Sequence, residues 1–380
     1  MIVWGIIVGI LILTLLVVVH ELGHYIAARR SGVVVEEFGI GLPPRAWGKK
    51  LKNGVLLSIN WLPIGGFCKM QGESDAANKK GDYGKATYWQ KTKILFAGVA
   101  MNWLATIVIF TILAWVGMPQ MIKDQFTVPA DSYRSASEVV VGTVVEGLPA
   151  DKAGLKPGDE IVKVDGTLIT DAALIPEISR VDKGKRVKIE YRRDGQTKTT
   201  TAELRGSNDD GKGYLGMSSG QSTYVRSTWS APIVGVATTL QLTGETFRGV
   251  GVLAGNFFGG LAKQLSFDAS VRESGRENVS AAGEGVTGPV GIVGVLFPQA
   301  TQSGGVTLLM LAGIISLSLA VMNVLPIPAL DGGRWLLMTI YKLRRKKLTA
   351  KTEEKFVTAG FLALFALIIL ITIVDVVRLF

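Results

Sequence analysis

The run Leu15-Leu16-Val17-Val18-Val19-His20-Glu21-Leu22-Gly23-His24 joins an apolar segment to an ionisable cluster without a break. His20 and His24 are the 2 histidines of the chain. Residues four apart on a helix lie on one face, one turn from each other. Two imidazoles so placed can bind one zinc ion, and Glu21 reaches a water on that metal as general base. Zinc draws the pKa of its water towards 7, which makes hydroxide available at neutral pH. Ionisable groups at membrane depth are costly and mark function. The alternative is a packed pair of core histidines beside a glutamate that reaches the surface, but such a cluster has no packing purpose in an apolar run.

Outward from this motif, four segments are long, apolar and nearly free of charge. They are Met1–Val19 continuing as Glu21–Ala28, Ile94–Gly117, Val306–Leu325 and Phe356–Val377. Each supplies about 20 apolar residues, enough to cross a hydrocarbon core. The first lacks the basic start and small-residue cleavage site of a signal peptide. Composition agrees with a membrane protein, since 48% of residues are hydrophobic and 19% charged. A disordered chain would need the opposite balance, and an ordinary soluble enzyme carries more charge. The single cysteine, Cys68, excludes an intrachain disulfide and a multi-cysteine metal site.

Charge placement predicts orientation. Residues 29–93 carry 12 Lys/Arg against 5 Asp/Glu, and residues 326–355 carry 8 against 3. The long stretch 118–305 carries 20 against 21. The positive-inside rule puts the two basic loops in the cytoplasm, with both termini and residues 118–305 outside. The net charge of +10 is thereby explained without nucleic acid. The run Arg344-Arg345-Lys346-Lys347 reads as a topology determinant facing anionic lipid.

A catalytic zinc needs a third protein ligand and an open position. With no third histidine, Asp331 is the best candidate. It follows the third span in Asn323-Val324-Leu325-Pro326-Ile327-Pro328-Ala329-Leu330-Asp331-Gly332-Gly333. That span and the histidine motif come to the same cytoplasmic side. The prolines break helix and the glycines permit close backbone approach, so an irregular segment could present the carboxylate. A helix cap is the other reading of Asp331.

The motif His-Glu-Leu-Gly-His, combined with Asn-x-x-Pro-x-x-x-x-Asp-Gly at Asn323–Gly332, resembles the site-2 proteases, which are intramembrane zinc metalloproteases. The bacterial branch of the regulator of sigma-E protease is the more similar. Gly65-Gly66-Phe67-Cys68-Lys69-Met70-Gln71-Gly72-Glu73 resembles that branch's membrane-associated β-hairpin. Ala97-Gly98-Val99-Ala100-Met101-Asn102 resembles the start of its second span, where a proline often replaces Val99. Thr287-Gly288-Pro289-Val290-Gly291-Ile292 resembles the approach to its third span. The resemblance implies that His20, His24 and Asp331 bind Zn2+, that Glu21 is the catalytic base, and that Asn323 positions the substrate strand or the oxyanion. It implies single-pass membrane proteins as substrates, with anti-sigma factors and remnant signal peptides the expected classes.

Two β-rich stretches flank this machinery. In the first cytoplasmic loop, Gly54–Asn60 and Phe67–Gln71 around Pro63-Ile64-Gly65-Gly66 read as a hairpin. Its edge, at Gly65, Gly66 and Phe67, would offer backbone hydrogen bonds to an extended substrate. Outside, residues 138–205 alternate as short strands with turn signals at Asp165-Gly166 and Asp194-Gly195. The pattern Gly154-Leu155-Lys156-Pro157-Gly158-Asp159 resembles bacterial PDZ domains, which bind peptides or free carboxyl ends by strand addition. The family often carries two such domains, and one pattern is present here. Ser207–Gly213 reads as a linker, Ala231–Leu265 as a Gly-broken apolar stretch forming an interfacial helix, and Phe267–Gly285 as a polar loop.

The expected architecture is an α-helical membrane protein of about four transmembrane helices, with an inserted extracytoplasmic PDZ domain and a membrane-associated β-hairpin. Its parts are residues 1–117 (two spans, zinc motif, hairpin loop), 118–205 (an extracytoplasmic segment with the PDZ domain at about 138–205), 206–305 (interfacial region) and 306–380 (two spans with the third ligand). The expected activity is intramembrane zinc proteolysis in a bacterial inner membrane, with the active site near the cytoplasmic side. A non-enzymatic PDZ adaptor with a vestigial metal site is the rival, and the intact set of four site residues argues against it.

Overall fold

The computed structural model describes residues 2–284 and 287–379. Met1 of the first expected span and Gly285 of the expected polar loop lie outside them. The chain divides into two compact units, residues 1–116 with 228–380, and residues 117–227.

The first unit is helical. Helix α1 (Ile2–Arg30) carries the zinc motif without interruption. Strands β1 (Val35–Lys50) and β2 (Leu56–Met70) follow, then helix α2 (Tyr88–Val116). After the second unit come α5 (Ala231–Gln264), α6 (Ala269–Glu284), α7 (Pro289–Gly291), a π turn at Ile292–Leu296, and α8 (Phe297–Ser303). Helices α9 (Gly305–Val324), α10 (Asp331–Leu343) and α11 (Ala350–Leu379) complete it. Among the described residues 4 helices are long and apolar enough to span a membrane, namely α1, α2, α9 and α11.

Small residues bring α1, α2 and α9 together, as expected where lipid removes the hydrophobic incentive and close packing must hold helices. A Cβ on Gly23 of α1 would collide with the Ala97 carbonyl of α2. A Cβ on Gly313 of α9 would fall 2.5 Å from the Phe110 ring of α2. The hydroxyls of Thr106 and Ser316 both donate to the Asn102 carbonyl, at 3.0 and 2.9 Å, and link α2 to α9. Helix α8 lies on the first turns of α1, where Gly5 meets Pro298 and Gly9 meets the Phe297 ring. The buried Asp375 of α11 accepts the N–H groups of Gly288 and Gly291, at 3.1 and 2.8 Å.

Three stretches differ from the sequence expectation. The segments Gly54–Asn60 and Phe67–Gln71 do not pair with each other. β1 supplies the missing partner: its residues 37–40 lie between 56–59 and 66–69, and residues 45–50 pair on the far side of 56–60. Residues 66–69 therefore form a sheet margin. The stretch expected as an interfacial helix is helical, but without the expected breaks: it is one helix of 34 residues, α5, running along α2 with Trp103 donating to Thr243 at 3.1 Å. Glycine lowers helix propensity by only about 1 kcal/mol, which packing overrides. The expected polar loop is α6. Asp268 caps it through the Ser270 N–H at 2.8 Å, and the pair Gly260 and Gly275 lets α6 approach α5 backbone to backbone.

The second unit is built on a 6-stranded sheet, ordered β10-β5-β6-β8-β9 with β7 paired to β6. These strands are β5 (Val139–Val144), β6 (Glu160–Val164), β7 (Thr167–Leu168), β8 (Arg186–Arg193), β9 (Gln196–Glu203) and β10 (Met217–Gly220). Helices α3 (Pro149–Lys152) and α4 (Leu174–Val181) complete the layer. Its core is Val139, Val141, Ile161, Val164, Val187, Ile189 and their neighbours. Asp165-Gly166 and Asp194-Gly195 both take positive φ, as two-residue hairpin turns require. A second sheet has the order β3-β11-β4, formed by β3 (Met118–Pro119), β4 (Tyr133–Ala136) and β11 (Thr223–Arg226). The unit thus extends past residue 205, through strands β10 and β11.

Candidate metal centre

The zinc motif sits on a continuous helix, so its spacing becomes geometry directly. His20 and His24 are buried, and their Nε2 atoms lie 3.1 Å apart. Asp331 Oδ2 lies 3.2 Å from His20 Nε2 and 3.3 Å from His24 Nε2. A zinc ion with ligands at about 2.0–2.1 Å in tetrahedral geometry needs donor atoms about 3.3 Å apart. Three edges of 3.1, 3.2 and 3.3 Å fit that requirement. Asp331 Oδ2 is buried and has no hydrogen-bond partner, an arrangement that is costly unless a cation completes it.

Asp331 reaches this position because the chain leaves α9 irregularly. Leu325 is extended, Ala329 takes a positive φ of 74°, and Asp331 is the first residue of α10. Gly332 and Gly333 follow because a Cβ on either would collide with the carbonyls of Val324 and Ile327. One turn further, Arg334 donates to the Glu73 carbonyl at 3.0 Å and to Glu353 at 3.2 Å. Glu353 in turn accepts the Asp75 N–H at 2.8 Å, and Asp75 pairs with Lys91 of α2. These charges tie α10 to α2, α11 and the segment after β2. Tyr83 lies beneath both cations, with Arg334 5.4 Å from its ring centroid, and burial holds its phenol above its usual pKa.

The sheet margin borders the same site. Gly66 faces α1: an added Cβ would make ordinary contact with Val18, at 3.6 Å, and with Glu21 Cγ, at 3.8 Å, and would crowd the Gly39 carbonyl at 3.0 Å. The Cys68 amide faces the Glu21 carboxylate. Gly65 takes a φ of 82°, and the Phe67 ring packs over Gly39. Burial, with the charges of Glu21 and Glu73 adding, pushes the Cys68 thiol up to about 12. Cys68 is thus a neutral thiol at pH 7, unsuited to thiolate ligation. Asn323 donates to its own helix, to the Leu319 carbonyl at 2.9 Å.

Sequence reasoning missed two residues of α2. Gly98 faces both imidazoles: an added Cβ would stand 2.5 Å from His24 Nε2 and 2.7 Å from His20 Nε2. Asn102, fully buried, brings its amide within 3.5 Å of His20 Nδ1. The four-residue spacing of Gly98 and Asn102 was the available signal, since it puts them on one helix face.

With this geometry in view, comparison with known proteins is decisive. The family model described as "Peptidase family M50" matches residues 8–367. The chain belongs to peptidase family M50. It is 32% identical over 374 residues to a candidate zinc metalloprotease of Clostridium perfringens, covering 98% of each chain. It is 28% identical to zinc metalloprotease RasP of Bacillus licheniformis, and 24% identical to the regulator of sigma-W protease RasP of Bacillus subtilis, again covering 98% of each. Among solved structures, the PDZ domain of an SdrC-like protein from Listeria monocytogenes matches 24% of this chain and 90% of its own, at 24% identity and a TM-score of 0.20. The M50 chain therefore aligns with its relatives end to end, spans and β-rich unit included.

Proposed function

We propose that the chain is an intramembrane zinc metallopeptidase that cuts single-span membrane proteins within or near their transmembrane segment. The observation that carries this reading is the donor triangle of the buried His20 and His24, on a helix apolar enough to span the membrane, with the partly buried Asp331. Zinc held there supplies a Lewis acid that polarises a carbonyl and acidifies water. The names of the C. perfringens and B. licheniformis relatives agree with that metal.

Glu21, next to His20 and beside the sheet margin, would take the proton of the attacking water and return it to the leaving amine. A helical substrate hides its peptide bonds, so it must unwind before cleavage. The margin at Gly65, Gly66 and Phe67, with Gly66 beside Glu21, would offer backbone groups to the unwound strand. Asn323 would orient the strand or the oxyanion by exchanging its bond to Leu319 for one to substrate. The excess positive charge of the first and third loops supports an inner-membrane topology with both termini and the β-rich unit outside. That unit, read as a PDZ domain, would bind a peptide or free carboxyl end. The name of the B. subtilis relative, a regulator of sigma-W, fits substrates that restrain a sigma factor.

The test is cleavage of a single-span substrate by the purified chain in detergent, beside Glu21→Gln and with zinc removed and restored. The variant is expected to keep zinc and fold while turnover falls by about 10²–10⁴. Undiminished turnover in Glu21→Gln would sink the assignment.

A further inference from the structure

We infer that Asn102 is a positioning residue for the metal centre, accepting the Nδ1–H of His20 through its side-chain oxygen and so fixing the tautomer that presents Nε2. The inference rests on the zinc reading above. When both histidines ligate through Nε2, each must carry its proton on Nδ1, and that proton needs an acceptor. His24 has one, since its Nδ1 lies 2.8 Å from the Ile94 carbonyl. His20 Nδ1 faces the Asn102 amide at 3.5 Å.

The nearer amide atom is Nδ2, a donor, which leaves Oδ1 buried without a partner. Two donors cannot satisfy each other. The oxygen and nitrogen of an amide differ only by a rotation about χ2 and are assigned from the hydrogen-bond network. Turning the Asn102 amide sets Oδ1 against His20 Nδ1–H and gives both atoms what they lack. The backbone of Asn102 is already immobilised, because its carbonyl accepts the hydroxyls of Thr106 and Ser316. The chain Ser316–Asn102–His20 therefore couples the packing of α9 on α2 to the ligand on α1. The two ligand histidines take their Nδ1 acceptors from one helix, at Ile94 and Asn102.

The experiment compares zinc affinity, by competition with a chromophoric chelator, and the ligand-field spectrum of the Co2+ form, using the full chain in detergent. Asn102→Leu keeps the volume and removes the acceptor, so zinc should bind roughly 10–100-fold more weakly, with a shifted Co2+ spectrum. Asn102→Asp restores an acceptor and should stay within about threefold of the native chain, with its spectrum. Should Asn102→Leu fail to fold, Asn102→Ser, too short to reach His20, takes its place with the same expectation. Equal affinity in the native chain and the Leu or Ser variant would overturn the inference, as would an Asp variant as weak as Leu. A native chain that binds no zinc would instead overturn the metallopeptidase reading on which the inference stands.

Discussion

Gly98→Ala adds one methyl group, and the structure says where it goes. The new Cβ would stand 2.5 Å from His24 Nε2 and 2.7 Å from His20 Nε2. Ordinary contact begins near 3.4 Å. The imidazoles must therefore retreat by about 0.9 and 0.7 Å, or α2 must move away from α1. Metal sites tolerate ligand displacements of about 0.2 Å. Separating the helices would open the close approach of Gly23 to the Ala97 carbonyl, one residue from Gly98, and lose that packing. Zinc affinity should fall by at least about 10²-fold, with loss of peptidase activity at trace metal. The overall helical signal should be retained, since alanine is the better helix former. Gly255→Ala in α5 is the matched control: its Cβ would meet nothing, so affinity and activity should be unchanged. Chelator competition and total metal analysis on the detergent-purified chains read both. A Gly98→Ala chain that holds zinc within about twofold of native would refute the packing argument and the placement of the two ligands against α2.

Two further predictions concern buried charge. Arg334→Met removes the donor to the Glu73 carbonyl and to Glu353, so α10 loses its charged tie to the segment after β2 and to α11. Zinc dissociation from the Asp331 side should quicken several-fold, and Arg334→Lys should not restore it, because one ammonium lacks the guanidinium's divergent donors. In the β-rich unit, Asp159 is buried and paired with Arg193 through both carboxylate oxygens, at 2.6 Å each. Burial pushes the Asp159 carboxyl upward, but the Arg193 guanidinium and the Lys156 N–H outweigh it and hold the pKa below the usual carboxylate range. A depressed folded-state pKa stabilises above the unfolded value of about 3.9. That stability is lost as pH falls below it, so protection of residues 139–204 in hydrogen exchange should be flat from pH 7 to 5 and drop below about 4. Arg193→Met should lower stability by about 2–4 kcal/mol at pH 7, by stranding a buried carboxylate, and the difference should shrink in acid as Asp159 protonates. A pH-independent difference would show that Arg193 acts through packing alone.

What the sequence made legible, and what it hid, divides along a physical line. The four apolar helices, the zinc motif and the two Asp-Gly turns are local: each is decided by a periodicity, a spacing or a φ preference within a few residues. Asp331 was reachable because the chain offers no third histidine, and because prolines and glycines mark where a helix must break. The partner of β2 was not reachable. Val35–Lys50 bends so that residues 37–40 enter between two stretches of one strand, and no alternation within either segment specifies that insertion. Helix α6 was hidden for a related reason. Its composition is polar, and what fixes it is a cap at Asp268 and the approach of Gly275 to Gly260, a contact set by the fold.

The surroundings of the ligands carry the same division into the site. A ligand must be a particular element in a particular oxidation and protonation state, so its identity shows in the residue type. A residue that holds a ligand in place needs only shape and one polar atom, and glycine and asparagine supply these in many contexts. Gly98 and Asn102 differ from the other small and polar residues of α2 only in facing α1 at the level of His20 and His24. The histidine motif therefore fixes where chemistry can occur, while the helix crossing fixes whether the donors converge. A chain could retain His20, Glu21, His24 and Asp331 and still lose the metal through one methyl group on α2, which is why substitutions on that helix test the mechanism more severely than removal of the ligands themselves.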